Sequence, residues 1–274
     1  MSLAQVNLLN PPRLDKIAVK RSFNRAAPAY DKQGVLQAEI LKRLLGRLDY
    51  IKHQPSTILD LGCGTGGGIA GLKRCYPRSQ IIGLDLAGEM LKLANRQFGW
   101  FHQKRLVNAD MEQLPFAPNS FDLLFSNLAL QWANDLPAMF KALVEVGRQG
   151  SLFMFTTFGP GTLQQLSQSW AELDQQPHVH QFIDMHDVGD ALMAANFQQP
   201  VIDSETIHLQ YDDFRSLLDD LKNIGAANAD NSRRKGLMTP TRLRGLEQSY
   251  RSYGFENGKF VATYEVVYGH AWLK

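Results

Sequence analysis

A run of glycines behind an aspartate is the first place in this sequence where chemistry is expected. Asp60 is followed by a glycine at every second position: Gly62, Gly64 and Gly66. Glycines let the backbone turn sharply and approach a ligand where a Cβ would clash. Spacing alone does not exclude a dinucleotide loop, because Gly67 can serve as the third glycine of that pattern. Asp60 argues against a pyrophosphate, since its carboxylate repels phosphate and suits a ligand with an ammonium group.

Two further acidic positions follow later apolar runs. Asp85 ends the second run, where a carboxylate can accept hydrogen bonds from both hydroxyls of a ribose. Asp110 and Met111 come directly after the third run, and an acid beside an apolar side chain can bind the edge of an adenine and pack on its face. Each acid alone also suits a solvated loop, so the order of all three after a glycine loop carries the prediction.

The stretch after the fourth apolar run, SNLALQW over 126–132, is the candidate lining of a reacting centre. Asn127, Gln131 and Trp132 are its candidate residues. Packing of Trp132 in the core is the alternative.

These candidate residues lie behind the strands of a predicted parallel sheet. Five short apolar runs are typical of strands: 57–60, 80–84, 105–108, 121–126 and 151–157. Helical patterns separate several of them: 69–76, 88–98 and 136–146. This alternation predicts a parallel sheet with helices on both faces. Ligands of such sheets bind at the carboxyl ends of the strands, near the switch point.

The flanking segments are predicted to be mainly helical. Before the core we expect a basic helical stretch over 13–33 that breaks near Pro28, and an amphipathic helix over 34–48. Beyond Gly159 the predicted helices are 162–173, 186–195, 214–224 and 239–253, and a closing strand covers 260–268.

The composition of the chain is that of a globular protein. Its small net charge conceals an uneven distribution of charged residues along the sequence. Its 274 residues are 44% hydrophobic and 20% charged, with a net charge of +2. Residues 1–56 carry a net charge of +6, residues 57–160 of +1, residues 161–230 of −10 and residues 231–274 of +5. The acidic block would repel a long polyanion, so no nucleic acid partner is expected.

Cysteine and hydropathy patterns predict a cytoplasmic protein. Cys63 and Cys75 are the only cysteines, too few for a disulfide framework or a zinc cluster. The amino-terminal residues lack the pattern of a signal peptide. No apolar run approaches the ~18 residues of a membrane span, so no membrane association is expected, and no metal site is assigned.

The candidate positions together resemble the class I S-adenosylmethionine-dependent methyltransferases. That resemblance covers roughly residues 57–157 and implies a Rossmann-like α/β fold with a mostly parallel seven-stranded sheet. It implies three parts: an N-terminal helical cap segment (1–56), a core that binds S-adenosylmethionine (57–160), and remaining core elements with helical cap insertions and the closing strand (161–274). The implied cofactor-binding residues are Asp60, Gly62, Cys63, Gly64, Gly66, Asp85, Leu86, Asp110, Met111, Asn127 and Tyr30.

A closer resemblance covers most of the chain. The segments FNRAA over 23–27, YD over 30–31, SNLALQW over 126–132, FTTFG over 155–159, PH over 177–178, IGA over 224–226 and TY over 263–264 are similar to those of the malonyl-acyl-carrier-protein O-methyltransferases of biotin synthesis. The resemblance implies methylation of the free carboxylate of a malonyl thioester, on acyl carrier protein or on coenzyme A. The methyl ester would prime pimeloyl synthesis.

The same resemblance suggests roles for residues outside the glycine loop. Tyr30 and Trp132 would line the reacting centre, Tyr30 as a lid, and no catalytic acid, base or triad is expected. Candidate substrate-binding residues are Arg25, Gln131, Trp132, Phe158, His178 and Tyr264, and candidate docking residues for an acidic carrier protein are Arg233, Arg234, Lys235 and Arg242.

Two alternatives remain open from the sequence. One is a carboxyl methyltransferase for a free small diacid, resembling the trans-aconitate enzymes. The other is a catalytically silent protein that binds the methyl donor.

Overall fold

The computed structural model describes residues 14–98, 105–174, 176, 178–223 and 239–274. Its helices are α1 (Lys16–Gln33), α2 (Val35–Arg47), α3 (Gly67–Cys75), α4 (Gly88–Phe98), α5 (Leu136–Val146), α6 (Gln164–Ala171), α7 (Met185–Ala194), α8 (Phe214–Asn223) and α9 (Pro240–Gly254). Its strands are β1 (Thr57–Leu61), β2 (Gln80–Asp85), β3 (Leu106–Asn108), β4 (Phe121–Asn127), β5 (Gly147–Phe158), β6 (Phe197–Tyr211), β7 (Phe255–Glu256) and β8 (Lys259–Leu273).

Seven strands form one sheet in the order β3-β2-β1-β4-β5-β8-β6, and the two-residue β7 pairs with β8 beside it. The first five strands are parallel, whereas β8 runs antiparallel to β5 and β6 antiparallel to β8. Strand order reverses between β1 and β4, which is where such sheets bind ligands. The predicted α/β fold with a mostly parallel sheet is confirmed, and the short strand β7 makes the sheet one strand larger than the predicted seven.

The central strands have buried side chains on both faces of the sheet. Successive side chains of a strand point to opposite faces, so neighbouring residues pack in different cores. Ile58 packs in the hydrophobic core that holds Ile40 and Leu44 of α2, and all three are fully buried. Leu59, the next residue, packs in the other core with Phe140 of α5. The sheet is therefore covered by helices on both faces.

Helix α1 continues through Pro28, so the predicted break near this residue is wrong. Proline removes one helical hydrogen bond, but packing in this part of the chain outweighs that loss. Ala27 is buried against Met90 of α4. The helix ends at Gln33, where the Gly34 N–H donates to the Tyr30 carbonyl at 2.7 Å.

The edge strand β6 was not predicted from the sequence, and β8 is longer than the predicted 260–268. β6 pairs with β8 from Phe197 to Tyr211, with a register shift near Pro200. Apart from Val201, its exposed positions are polar. Proline and acidic residues weaken the strand pattern, although both are usual on edge strands.

Part of the acidic block forms ion pairs with basic residues elsewhere in the protein. Arg43 of α2 lies 2.7 Å from Glu205 of β6, and Arg47 pairs with Asp203 through two hydrogen bonds of 2.7 and 2.8 Å. The basic amino-terminal segment therefore neutralises part of the edge strand. None of the helices that the structure describes is long and apolar enough to cross a bilayer.

Candidate active site

The glycine loop turns sharply at the carboxyl end of β1. Gly62, Gly64 and Gly66 have φ of 67°, 54° and 97°, the left-handed region that favours glycine. A Cβ on Gly62 would lie 2.4 Å from the Cβ of Ala129. Gly66 is the N-cap of α3, whose free N–H groups make its first turn electropositive.

Asp60 lies under this loop with only 2% of its surface exposed. Its Oδ2 atom has no hydrogen-bond partner in the described part of the chain. Burial, together with the charge of Asp85, raises the pKa of Asp60 to about 8. A cationic group would relieve both effects, so this carboxylate fits an ammonium.

Asp85 is held at the end of β2 by two backbone donors. The Gly64 N–H donates to Oδ2 at 2.9 Å and the Ala87 N–H to Oδ1 at 2.7 Å. Burial raises the pKa of Asp85, although these two hydrogen bonds oppose the shift. Each oxygen keeps a second lone pair, so the carboxylate can still accept from two hydroxyls.

Two adjoining cavities open on these acids. The first, of about 610 Å³, is lined by the predicted residues Asp85, Leu86, Asp110, Met111 and Trp132. The second, of about 580 Å³, is lined by Asp60 and Cys63. Both cavities share four lining residues: Tyr30, Gly62, Gly64 and Asn127. The structure thus gathers the predicted cofactor residues around two adjoining cavities, except Gly66, which is outside their described linings.

Tyr30 and Asn127 lie where the two cavities meet. Burial and the charges of Asp85 and Asp31 raise the pKa of Tyr30, so its hydroxyl stays neutral. Asn127 accepts a hydrogen bond from the Thr156 hydroxyl at 2.9 Å and donates to the Gln37 carbonyl at 3.3 Å. Asn127 therefore links β4 to helix α2.

Lys16 is a site residue that the sequence reasoning missed. Its Nζ lies 2.9 Å from Oδ1 of Asp110, it also pairs with Glu112, and it lines the first cavity. In the sequence it resembles any other basic residue of a helical surface. It stands 94 positions from Asp110, so no local signal reveals the contact.

Cys63 lines the second cavity, but its sulfur is not a reactive group. Its thiol is buried in the core, and a Cβ on Gly83 would lie 2.8 Å from its Sγ. Burial, followed by the charges of Asp85 and Asp60, raises the pKa of this thiol well above its usual value. It is therefore a poor nucleophile.

The candidate substrate residues fall into separate places. Gln131 lines a third cavity, of about 340 Å³. The ring of Phe158 is buried, 5.6 Å from that of Phe182, which lines the third cavity, and 5.7 Å from that of the buried Tyr264. Arg25 is exposed on α1, outside the described linings of the three cavities.

His178 and Arg242 belong to one cluster outside the glycine-loop region, in the part of the chain after β5. The His178 ring stacks on Trp170 at 3.7 Å, and its Nε2 lies 2.8 Å from Oδ1 of Asp174. Arg242 pairs with the same Asp174 and lies over Trp170 at 5.1 Å. The other predicted docking residues, Arg233, Arg234 and Lys235, lie outside the described residues, as do Pro177 and the segment 224–226 of the family pattern.

Comparison with known proteins agrees with this geometry. The methyltransferase domain family matches residues 59–155, from β1 to β5. The YcgJ protein from Bacillus subtilis has a similar fold, with a TM-score of 0.60 at 15% identity, covering 85% of this chain and 99% of that one. A phosphoethanolamine N-methyltransferase of Haemonchus contortus, solved with S-adenosylhomocysteine, gives a TM-score of 0.53 at 19% identity over 85% of this chain and 52% of that one. Fold and site define an S-adenosylmethionine-dependent methyltransferase of class I.

Longer and closer matches define the family. The malonyl-[acyl-carrier protein] O-methyltransferase of Halorhodospira halophila is 46% identical over 260 residues, covering 94% of this chain and 88% of its own length. That of Legionella pneumophila is 40% identical over 254 residues, covering 93% and 89%. The chain belongs to the malonyl-[acyl-carrier protein] O-methyltransferase family, which confirms the resemblance seen in the sequence.

Proposed function

We propose that this protein transfers a methyl group from S-adenosylmethionine to the free carboxylate of a malonyl thioester carried on acyl carrier protein. The observation that carries this proposal is the identity of 40–46% to relatives named for that reaction. The matches span 93–94% of the chain, so they include the cap as well as the donor core. The proposed product is the malonyl methyl ester that primes pimeloyl synthesis for biotin.

The chemistry makes few demands on the protein. S-adenosylmethionine supplies a methyl group on a positively charged sulfur, which becomes a neutral thioether when the methyl carbon bonds to the acceptor oxygen. The acceptor carboxylate is already ionised at neutral pH, so no side chain has to remove a proton. The rate enhancement then comes from alignment and electrostatics.

The described residues suit a cationic nucleoside donor. Asp60 would hold the ammonium, because its buried Oδ2 has no other described partner. Asp85 would accept from the ribose hydroxyls. Met111 is buried next to Asp110 in the lining of the first cavity, where an adenine would pack. Tyr30 would cover the junction of the two cavities, next to the sulfonium.

Methylation also makes chemical sense for the product. A carboxylate is costly to bury in an apolar acyl-binding tunnel, whereas a methyl ester is neutral. The ester would therefore let enzymes that elongate fatty acyl chains accept a chain that ends in a carboxyl group.

We propose that the carrier is recognised by the basic residues Arg233, Arg234, Lys235 and Arg242. Acyl carrier protein is expected to be acidic, and charge complementarity mainly accelerates and orients such encounters. Arg242 forms an ion pair with Asp174. Most of the attraction to the carrier protein is therefore expected from Arg233, Arg234 and Lys235. Malonyl-CoA, which lacks the carrier protein, would not use this surface.

A methyl-transfer assay with four acceptors tests the function. Malonyl carrier protein, malonyl-CoA, free malonate and trans-aconitate are compared with radiolabelled donor. We expect the highest kcat/KM with malonyl carrier protein. Equal activity on a free diacid would favour the trans-aconitate-like alternative, and transfer to none of them despite donor binding would favour a silent donor-binding protein.

Charge reversal tests the docking residues separately. Replacing Arg233, Arg234 and Lys235 with glutamate is expected to raise KM for malonyl carrier protein and leave KM for malonyl-CoA nearly unchanged. The matched control reverses Lys73 and Arg74, which are exposed at the end of α3, away from the ligand-binding edge of the sheet. Equal effects on both acceptors would remove the docking proposal.

A further inference from the structure

One face of helix α1 forms a wall of the first cavity. Lys16, Val19, Phe23 and Tyr30 line this cavity, and their spacing of three, four and seven positions places them on one side of the helix. The rest of the described lining belongs to the core. One of those core residues, Trp132, lies edge-on to Phe23 with 5.2 Å between ring centres. A ligand in this cavity is therefore enclosed between α1 and the core.

Lys16 joins the amino end of this wall to two carboxylates. Its Nζ lies 2.9 Å from Oδ1 of Asp110 and also pairs with Glu112. The three side chains are only 17–24% exposed, so water and salt screen these ion pairs less than they screen pairs on the surface. Removing the ammonium group would leave Asp110 and Glu112 to repel each other.

Hydrogen bonds fasten the same end of α1. The N–H of Leu14, two residues before the helix, donates to Oδ1 of Asn134 at 2.6 Å, and the Asn134 N–H donates to Oε1 of Glu112 at 2.9 Å. Glu112 thus holds Lys16 with one oxygen and Asn134 with the other. The amino end of α1 is therefore tied both to the loop after β3 and to the loop before α5.

Two further contacts hold the remainder of α1 along the same site. The Glu89 N–H in the first turn of α4 donates to Oδ1 of Asn24 at 2.9 Å. The Thr65 hydroxyl in the glycine loop donates to Oδ1 of Asp31 at 2.5 Å. Helix α1 therefore runs from the loop after β3 to the glycine loop and is fastened at both of its ends.

We propose that Lys16 is a positioning residue for the methyl donor. Its ion pairs hold α1 against the core over the nucleoside and fix the carboxylate of Asp110. Both described hydrogen bonds to Asp110, from Lys16 and from the Glu112 N–H, end on Oδ1, so Oδ2 is left to accept from an amino group of the donor. The donor is released when these ion pairs open and the amino end of α1 lifts from the core.

Thermodynamic linkage makes this role reciprocal. Contacts that favour the closed position of α1 strengthen donor binding, and a bound donor stabilises the closed position by the same free energy. The inference concerns the donor alone and holds whichever acceptor the protein methylates. Its failure is therefore distinguishable from failure of the proposed function.

The test follows the release of S-adenosylhomocysteine, the product that the donor becomes, with no acceptor present. Stopped-flow displacement gives its dissociation rate and calorimetry gives its affinity. Lys16→Met keeps a long side chain of similar helix propensity but loses the charge. We expect it to release the ligand roughly tenfold faster and to bind it correspondingly less tightly, because loss of one partner of a largely desolvated charge pair acts mainly on dissociation.

Hydrogen exchange measures the reciprocal effect. S-adenosylhomocysteine is expected to slow amide exchange over α1 in the wild-type protein, and to slow it less in Lys16→Met. A merely structural role for Lys16 would lower the free energy of unfolding and leave both the dissociation rate and the protection of α1 unchanged in the folded protein.

Two variants serve as controls. Lys20→Met makes the same change one turn later on α1, at an exposed residue outside the described linings of the donor cavities, and should stay within about twofold of the wild-type rate. Lys16→Arg keeps the charge and should keep release slow. If Lys16→Met does not fold, Asn134→Ala opens the same network from the core side and decides the question by the same dissociation rate.

A dissociation rate within about twofold of wild type in the folded Lys16→Met protein would overturn the inference. An equal effect of Lys20→Met would also overturn it, because the effect would then belong to the net charge of α1. Release from Lys16→Arg as fast as from Lys16→Met would overturn it as well, since the positive charge would then have no part in holding the donor.

Discussion

Replacing Asp60 with asparagine should change how the stability of the free protein depends on pH. Burial and the charge of Asp85 raise the pKa of Asp60 to about 8, whereas an unfolded chain has a pKa of about 3.9 at this residue. Between those values the folded protein keeps Asp60 protonated and the unfolded chain ionises it. The unfolded state then binds fewer protons, so the free energy of unfolding falls as pH rises.

The size of the change in the free energy of unfolding follows from the one proton that Asp60 binds. Each pH unit costs the wild-type protein about 1.4 kcal/mol at this residue, or about 3 kcal/mol between pH 5 and pH 7. The stabilisation is fully present below about pH 4 and is lost as the pH rises towards about 8. Asp60→Asn removes the titration, so its stability relative to wild type should increase by that amount over the same interval.

Urea unfolding at pH 5, 6 and 7 measures the difference between the two proteins. Asp122→Asn is the matched control. Burial alone would raise the pKa of Asp122, but hydrogen bonds from Ser56, Arg148 and Thr57 outweigh it and lower that pKa. The contribution of Asp122 is therefore constant between pH 5 and 7 and is lost only in stronger acid. Parallel stability curves for wild type and Asp60→Asn would refute the account of Asp60.

Three other predictions concern the donor site, the core and the surface. Asp85→Ala should weaken donor binding by roughly tenfold to a hundredfold in calorimetry, because two charge-assisted hydrogen bonds are lost, whereas unchanged affinity would contradict the ribose assignment. Leu44→Ala should lower the free energy of unfolding by about 2–5 kcal/mol in urea, since Leu44 is fully buried, and a loss below about 1 kcal/mol would mean that α2 packs loosely. Arg47 and Asp203 are both exposed, so a double-mutant cycle should give a coupling free energy of at most about 1 kcal/mol that weakens with salt. A larger coupling free energy that salt does not change would mean that the pair is desolvated.

The grouping of Asp60, Asp85 and Asp110 around the two adjoining cavities was predictable because these residues belong to short motifs at strand ends. Asp60, Asp85 and Asp110 are far apart in sequence, yet each lies at or just after the carboxyl end of a strand in the parallel part of the sheet. Parallel strands end at the same edge of a sheet. The residues at their ends therefore lie close together however the rest of the protein packs. The glycine loop adds a conformational requirement that can be read directly from residue types.

Other contacts around the candidate site are encoded by no local pattern. His180 meets Gln131 across 49 positions, and Lys16 meets Asp110 across 94. The acidic residues of the edge strand β6 form ion pairs with Arg43 and Arg47 of α2, which are more than 150 positions away in the sequence. Pro28 shows the converse, since a strong local signal was overridden by packing of the neighbouring alanines.

The most direct test of the central claim is to locate the transferred methyl group. Malonyl carrier protein is incubated with the enzyme and donor, and the acyl-pantetheine arm is released and analysed by mass spectrometry. We predict a mass gain of one CH₂ on the malonyl group as a methyl ester, with Asp85→Ala forming far less product under limiting donor. An unmodified malonyl group after complete donor binding, or a methyl group attached elsewhere on the carrier protein, would contradict the account.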